Sequence, residues 1–113
     1  MPLVEVKTTV KLDKVQTEKL RDDIRTAITL IPQKTADNMM LHIESDCNMW
    51  MGDVEESCTF VDIRLYGPSP LENKKEFVEA VLEALKPYGI ESDRVYMNIW
   101  QRESWVAGNR MLG

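Results

Sequence analysis

Two kinds of hydrophobic spacing follow each other in the first part of the chain. Apolar and polar residues alternate over residues 4–10, as in a β-strand with one buried face. Asp13 with Gln16 three residues later is typical of a capped helix start, and Pro32 predicts where that helix stops. The apolar stripe of the helix consists of Leu20, Ile24, Ala27, Ile28 and Ile31. A second strand is predicted at about residues 39–44.

The second half of the chain repeats this pattern. Val61-Asp62-Ile63-Arg64 matches Val4-Glu5-Val6-Lys7, and Ser69-Pro70-Leu71-Glu72 indicates a capping box with proline at the first helical position. The apolar stripe recurs as Phe77, Val81, Ala84, Leu85 and Tyr88. Gly89 is a plausible helix stop, and residues 93–99 mirror residues 37–43. The sequence therefore predicts a duplicated β-α-β unit.

This duplication defines the expected fold class. Each β-α-β unit needs a right-handed crossover that lays its helix across two parallel strands. Two units give an α/β protein with a four-stranded mixed sheet and both helices on one face. At 113 residues we expect one domain over residues 1–113.

The other face of this sheet has no cover within the chain. On the last strand, Tyr96, Asn98 and Trp100 are predicted to point away from the helices. The same alternation places Met40, His42 and Glu44 on the open face of the second strand. A partly apolar open face of this size predicts contact with other subunits. For His42 we expect a buried histidine with satisfied hydrogen bonds rather than a catalytic one.

Two stretches lie outside the repeat. Residues 47–57 are predicted to form a loop or short hairpin, with Met49-Trp50-Met51 as an apolar patch and Gly52-Asp53 as a turn. The tail, residues 104–112, is predicted to form a turn and a short strand. We expect that strand to extend the sheet edge of an adjacent subunit.

Composition and charge exclude several classes of protein. The net charge of −5 argues against nucleic-acid binding, which needs clustered Lys and Arg. No apolar run approaches the roughly 18 residues of a membrane span. No secretory signal is visible, so a cytoplasmic location is expected. Cys47 and Cys58 lack the spacing of a metal site, and free thiols in a reducing compartment are favoured over a disulfide.

The first two residues suggest a chemical role. A small second residue usually lets the initiator Met1 be removed, which would make Pro2 the amino terminus. Its nitrogen would be a secondary amine, and α-amino groups titrate at roughly pH 7.7–8.0. A base of that strength suits proton transfer between carbon and oxygen near neutral pH. The alternative is that Pro2 only starts an edge strand, where its missing N–H does no harm.

Several of these features together resemble the tautomerase superfamily. They are Met1-Pro2, the doubled β-α-β unit, Lys34 after the first helix, and Asp93-Arg94-Val95-Tyr96-Met97-Asn98. Within the superfamily the chain is most similar to macrophage migration inhibitory factor and D-dopachrome tautomerase, over nearly its full length.

The resemblance implies a homotrimer in which three sheets form an inner barrel and each active site lies at a subunit interface. Pro2 would be the general base and acid, and Lys34 would bind the substrate carboxylate. Tyr96 and Asn98 would reach the pocket from the neighbouring subunit. Tyr66 stands where the family has an isoleucine that lines the pocket.

The implied activity is keto–enol tautomerisation of a small α-keto acid such as phenylpyruvate, with no metal or organic cofactor. An alternative is a cytokine-like binding protein of the same fold with vestigial tautomerase activity, since members of this family can be secreted without a signal peptide. Dehalogenation or decarboxylation is a further alternative that would need additional acidic or arginine groups.

Three departures from the family pattern bear on function. Tyr66 is larger than the usual aliphatic residue, so the shape of the pocket should differ. Cys58-Thr59-Phe60-Val61 keeps only the first cysteine of the family's CxxC, so a dithiol redox activity is not carried over. The aromatic tail residues of the animal proteins are absent, although Trp105 and Met111 offer other apolar surface.

Overall fold

The computed structural model describes residues 1–113 and contains six strands, two α-helices and four single turns of 3₁₀-helix. The strands are β1 Pro2–Thr8, β2 Met40–Glu44, β3 Thr59–Tyr66, β4 Val95–Arg102, β5 Trp105–Ala107 and β6 Arg110–Leu112. The helices are α1 Lys14–Ala27 and α2 Leu71–Leu85. The 3₁₀ turns are Ile28–Leu30, Ala36–Asn38, Lys86–Tyr88 and Ser92–Arg94. No helix is both long and apolar enough to cross a membrane.

The sheet confirms the predicted duplication. Its strand order is β2-β1-β3-β4, with β1 parallel to β2, β3 parallel to β4, and β1 antiparallel to β3. Each β-α-β unit therefore forms its own parallel pair, and the two pairs join at the centre. The register there sets Val4 against Ile63, Val6 against Val61, and Glu5 against Asp62. The four-stranded mixed sheet with both helices on one face is the fold that the sequence predicts.

Helix α1 begins and ends where the pattern indicates. The Asp13 carboxylate accepts a hydrogen bond from the Gln16 N–H at 2.7 Å, and the Gln16 side chain accepts one from the Asp13 N–H at 2.9 Å. This reciprocal pair satisfies two backbone donors that the first turn leaves without helical partners. The predicted apolar stripe is buried throughout. The helix tightens into the 3₁₀ turn Ile28–Leu30 before Pro32.

The predicted capping box of α2 is wrong. Pro70 occupies the cap position with an extended backbone, so the helix begins at Leu71 and Ser69 lies one residue too early to cap it. The Ser69 hydroxyl is buried without a hydrogen-bond partner, while the Ser69 N–H donates to the Gln101 side chain at 2.9 Å. The end of the helical segment is as predicted, because Gly89 adopts the left-handed conformation with φ of 75°.

The core lies between the sheet and the two helices. It combines the helical stripes with the inward side chains of the strands, including Val4, Val6, Val61, Ile63 and Leu65. The hydroxyl of Tyr88 donates to the Gln16 carbonyl at 3.1 Å and links the two helical segments. Both helices pack against the same face of the sheet, so the two halves of the sequence carry matching apolar stripes.

The open face of the sheet has the predicted alternation. Tyr96, Asn98 and Trp100 are exposed, while the alternate residues of β4 pack against the core. Asp62 on β3 is nearly buried because the Trp100 indole N–H donates to it at 2.8 Å and Arg64 Nε donates at 3.0 Å. A polar cluster thus lies beside apolar side chains on this face.

The two stretches outside the repeat form small separate structures. Met51 and Val54 make an antiparallel bridge that encloses the predicted turn at Gly52, where φ is 67°. In the tail, β5 and β6 pair with each other as an antiparallel hairpin. The tail therefore holds two short strands rather than the single one expected.

Candidate active site

Pro2 lies at the start of a central strand rather than an edge strand. Its side chain is buried on the helix side of the sheet, and it is set opposite Leu65 of β3. As the first residue of β1 it has no partner on β2, where pairing starts at Leu3. The missing N–H therefore costs no ladder hydrogen bond. The carbonyl of Met1 accepts a hydrogen bond from the Tyr66 N–H at 3.2 Å.

The amino group at the start of the chain is in an unusual electrostatic setting. Partial burial, the positive charge of Lys34 and a hydrogen bond with Lys34 lower the pKa of the Met1 α-amino group from 8.0 to about 6. Each of these effects disfavours the protonated form. Between pH 6 and 8 this amine is neutral where an ordinary α-amine still carries a proton. A neutral amine is the form that can accept a proton from a substrate.

Lys34 is held beside this amine by the turn that follows the first helical segment. Gln33 adopts a left-handed conformation with φ of 68°, and the Lys34 N–H donates to the Ile31 carbonyl at 3.1 Å. The Lys34 ammonium donates to the Tyr66 carbonyl at 2.8 Å. An ammonium group has three donors, so it can also bind an anion while it keeps this contact.

Met1, Lys34 and Tyr66 line one cavity of about 620 Å³ at this end of the sheet. Its charged side chains are Lys34 and Glu103. A Cβ at Gly113 would lie 3.2 Å from the Tyr66 hydroxyl oxygen, so the end of the chain comes back close to the cavity. The full lining is Met1, Pro32, Gln33, Lys34, Tyr66, Gly67, Pro68 and Glu103. The cavity thus combines an amine, a cation and backbone groups, which is suitable for a small acid.

Tyr96 and Asn98 lie elsewhere in the chain. Tyr96 is paired with Phe60, whereas Tyr66 is paired with Arg102 six residues further along β4. At 3.3 Å per residue this separates Tyr96 from the cavity by roughly 20 Å along the sheet. Within one chain the structure brings Met1, Lys34 and Tyr66 together around the cavity, whereas Pro2 is the buried next residue and does not line it, and Tyr96 and Asn98 lie far from it. Their contribution to a neighbouring subunit's pocket stays a prediction.

A single chain does not bury His42. Half of its side chain is exposed, and it lies on the open face 3.4 Å from a Glu5 carboxylate oxygen and 3.6 Å from one of Glu44. It is also outside the cavity. Its predicted burial depends on other subunits covering the open face, and it stays a prediction.

Sequence reasoning missed Glu103 as a cavity residue. Glu103 directly follows β4, and β4 runs parallel to β3 with Arg102 opposite Tyr66. Because the carboxyl ends of parallel strands meet at one edge of the sheet, this register would have placed Glu103 beside Tyr66. No group of three or more His, Cys, Asp or Glu side chains is arranged to hold a metal ion. Both cysteines are free thiols.

The family model for macrophage migration inhibitory factor (MIF) matches residues 1–111. No curated protein sequence matches the chain. Among solved structures, MIF2 of Leishmania major has a TM-score of 0.89 and 15% identity, covering 99% of this chain and 97% of that one.

Two further solved structures show how widely this fold is shared. The macrophage migration inhibitory factor homologue from Prochlorococcus marinus has a TM-score of 0.83 and 18% identity, covering 98% of this chain and 99% of that one. FG41 malonate semialdehyde decarboxylase inhibited by 3-bromopropiolate has a TM-score of 0.71 and 16% identity, with 94% and 88% covered. At these identities the structural likeness concerns the fold.

Proposed function

Because the chain belongs to the macrophage migration inhibitory factor family, we propose that it is an isomerase, a keto–enol tautomerase of small α-keto acids such as phenylpyruvate. The observation that carries this proposal is the placement of the terminal amine, Lys34 and the end of β3 around one cavity. The pKa of the Met1 amine is lowered to about 6, so this end of the chain favours a neutral amine, the form that a base at neutral pH requires.

Removal of Met1 would complete this arrangement. The Pro2 nitrogen would then become the terminal amine, one residue along the chain from the present position of the Met1 amine beside Lys34. The Tyr66 N–H, which donates to the Met1 carbonyl at 3.2 Å, would lose that acceptor. A backbone donor freed beside the amine can hydrogen-bond a substrate oxygen on which negative charge develops.

The proton transfer follows from these positions. The neutral Pro2 nitrogen takes a proton from the carbon next to the ketone, and the electron pair of the broken C–H bond forms the enolate. Lys34 holds the substrate carboxylate through a charge-assisted hydrogen bond. The protonated Pro2 nitrogen then returns the proton to the enolate oxygen or to carbon, so the amine ends as it began.

Tyr96 and Asn98 enter this proposal through a homotrimer. Both are exposed on β4, and Tyr96 lies roughly 20 Å and Asn98 roughly 13 Å along the sheet from the chain's own cavity. A neighbouring copy that brings its own cavity to this end of the sheet would contact both side chains. Tyr96 would contribute apolar surface and Asn98 an amide donor to the pocket.

The test compares phenylpyruvate turnover by the wild type and by Pro2→Gly, with removal of Met1 checked by N-terminal mass. Glycine keeps a free terminal amine but changes its basicity and its freedom of motion. The matched control is Pro87→Gly, which replaces an exposed proline in the turn Lys86–Tyr88, far from the cavity. We expect a large loss of turnover only for Pro2→Gly. Equal rates from the three proteins, or a retained Met1 with full activity, would remove Pro2 from the chemistry.

Glu103 favours one second candidate. A structural neighbour is a malonate semialdehyde decarboxylase, and the alternative of decarboxylation needs an additional acidic group near the base. Glu103 places such a carboxylate in the cavity with Lys34. Release of carbon dioxide from malonate semialdehyde by the wild type, lost in Glu103→Gln while phenylpyruvate turnover persists, would support this activity. Absence of carbon dioxide release would exclude it for this substrate.

A further inference from the structure

Two arginines and a tryptophan form a cluster on the open face of the sheet, around the Asp62 carboxylate. The Trp100 indole N–H donates to one Asp62 oxygen at 2.8 Å, and Arg64 Nε donates to the other at 3.0 Å. The Asp62 side chain is only 12% exposed, so these two hydrogen bonds are largely shielded from water. The carboxylate therefore fixes both the tryptophan ring and the near end of the Arg64 guanidinium.

Arg102 joins this cluster through the tryptophan ring. Its guanidinium carbon lies 5.0 Å from the centre of the Trp100 ring, within the range of a cation–π contact. In the sheet register Arg64 is opposite Trp100, and Arg102 is two residues further along β4. The Cα atoms of the two arginines are therefore roughly 8 Å apart, which allows both long side chains to reach one ligand.

Most of the guanidinium donors in this cluster have no partner within the chain. An arginine has five N–H donors in a fixed fork. Arg64 donates through Nε alone, so the N–H groups on its two terminal nitrogens remain for another acceptor, and its side chain is 44% exposed. Arg102 is exposed, and none of the ion pairs within the chain includes it. Glu5, opposite Asp62 on β1, has its carboxylate 3.4 Å from the His42 ring.

We infer that Arg64 and Arg102 bind a phosphate group, either free or in an ester, on the open face of the sheet. Guanidinium groups bind phosphate oxygens through paired, charge-assisted hydrogen bonds. A phosphate monoester carries a charge of roughly −1.5 to −2 at neutral pH and has three strong acceptor oxygens, so it can accept from both arginines at once. The inference goes beyond the proposed reaction, which uses Lys34 at the end of the sheet.

The Trp100 indole N–H reports on this site because the ring contacts Arg102 and donates to Asp62. Its NMR signal, assigned by its absence in Trp100→Phe, is followed in the wild-type protein during titration with inorganic phosphate at constant ionic strength. Glycerol phosphate is titrated in parallel, and the tighter of the two ligands shows whether the site prefers free phosphate or an ester. We expect a saturable shift with phosphate and none with acetate at the same concentrations.

Four variants locate the bound phosphate. They are Arg102→Gln, Arg64→Gln, Lys34→Ala and the matched control Arg21→Gln, which removes an exposed arginine whose Nε donates to Asp22 at 2.9 Å on α1. We expect Arg102→Gln and Arg64→Gln each to weaken phosphate binding about tenfold or more, the effect of one lost hydrogen bond to a charged group. Arg21→Gln and Lys34→Ala should keep the wild-type affinity.

Four results would overturn the inference. They are the absence of a saturable shift with either phosphate compound, an unaltered affinity in Arg102→Gln, loss of the shift in Lys34→Ala, and a smaller assembly mass for Arg102→Gln. The third would place the phosphate in the Lys34 cavity, and the fourth would show that the arginine contacts another copy of the chain. None of these results concerns phenylpyruvate turnover, so each would leave the proposed function in place.

Discussion

Replacing Lys34 by alanine tests the cavity through two effects that a change in packing alone would not produce together. The Lys34 ammonium is the group that would bind the substrate carboxylate. It also lowers the pKa of the Met1 amine, and we expect it to act in the same direction on the Pro2 amine that replaces it. Its removal should therefore weaken binding of the keto acid and raise the pKa of the base. A lysine that only supported the fold by its hydrogen bond to the Tyr66 carbonyl would not alter the pH profile in this way.

The size of each effect follows from the structure. A hydrogen bond to a charged group contributes roughly 1.5–3 kcal/mol, which corresponds to about a 10- to 150-fold rise in KM. Burial is the largest cause of the lowered amine pKa, and it remains after the substitution. The pKa of the Pro2 amine should consequently rise in Lys34→Ala, but only part of the way to the pKa of a fully exposed amine. Since the amine must be neutral to accept a proton, kcat/KM falls as the pH drops through that pKa.

The assay is kcat/KM for phenylpyruvate between pH 5 and 9, measured on the wild type, Lys34→Ala and Lys11→Ala. Lys11 is an exposed lysine outside the cavity, so its removal changes the net charge equally. We expect the same midpoint of the acidic limb for the wild type and Lys11→Ala, and a higher midpoint for Lys34→Ala. An unshifted or lower midpoint in Lys34→Ala would refute the electrostatic link between Lys34 and the amine.

Three other predictions concern assembly and stability. A trimer should give a mass of about 39 kDa by light scattering, three times the 13.1 kDa of one chain. A mixture of Pro2→Gly and Asn98→Ala subunits should regain partial activity. A fully active monomer would contradict both predictions. Ile24→Ala should lower the free energy of unfolding by about 2–5 kcal/mol in urea titrations, because Ile24 is fully buried; a loss below 1 kcal/mol would indicate that the core collapses around it. Asp13→Ala should lower the free energy of unfolding by about 1 kcal/mol, because the helix cap is lost. Ser69→Ala should leave the free energy of unfolding unchanged or raise it, because the Ser69 hydroxyl has no hydrogen-bond partner. Equal losses of stability in the two variants would contradict this distinction.

The fold could be predicted because its determinants are local and occur twice. The alternation in β1 and the helical stripes each specify one buried face, and the duplicated pattern specifies how the faces combine. The capping box at Asp13 was predicted correctly, and the similar motif at Ser69 was not. The difference lies in Pro70, which takes the cap position itself and leaves Ser69 outside the helix. A capping motif alone does not locate the first helical residue.

The candidate site could be predicted only in part. Lys34 and Tyr66 were placed by resemblance, and the structure brings them together through the hydrogen bond between the lysine and the Tyr66 carbonyl. Glu103 follows a strand without any periodic signal, and only the strand register brings it to the cavity. The environment of His42 and the role of Tyr96 depend on what covers the open face, which the pattern of one chain does not specify.

The pairing of Glu5 with Asp62 has a consequence for the repeated sequence. The central register relates the two halves by an internal two-fold axis, and the axis passes through this pair, so a residue meets its own duplicate there. Two carboxylates directly opposite each other on neighbouring strands destabilise a sheet. Each half provides partners that offset this repulsion. Trp100 and Arg64 donate hydrogen bonds to Asp62, and His42 lies beside Glu5. An acid at this position is therefore tolerated only together with its donors, and a substitution in one half alters the electrostatics of the other.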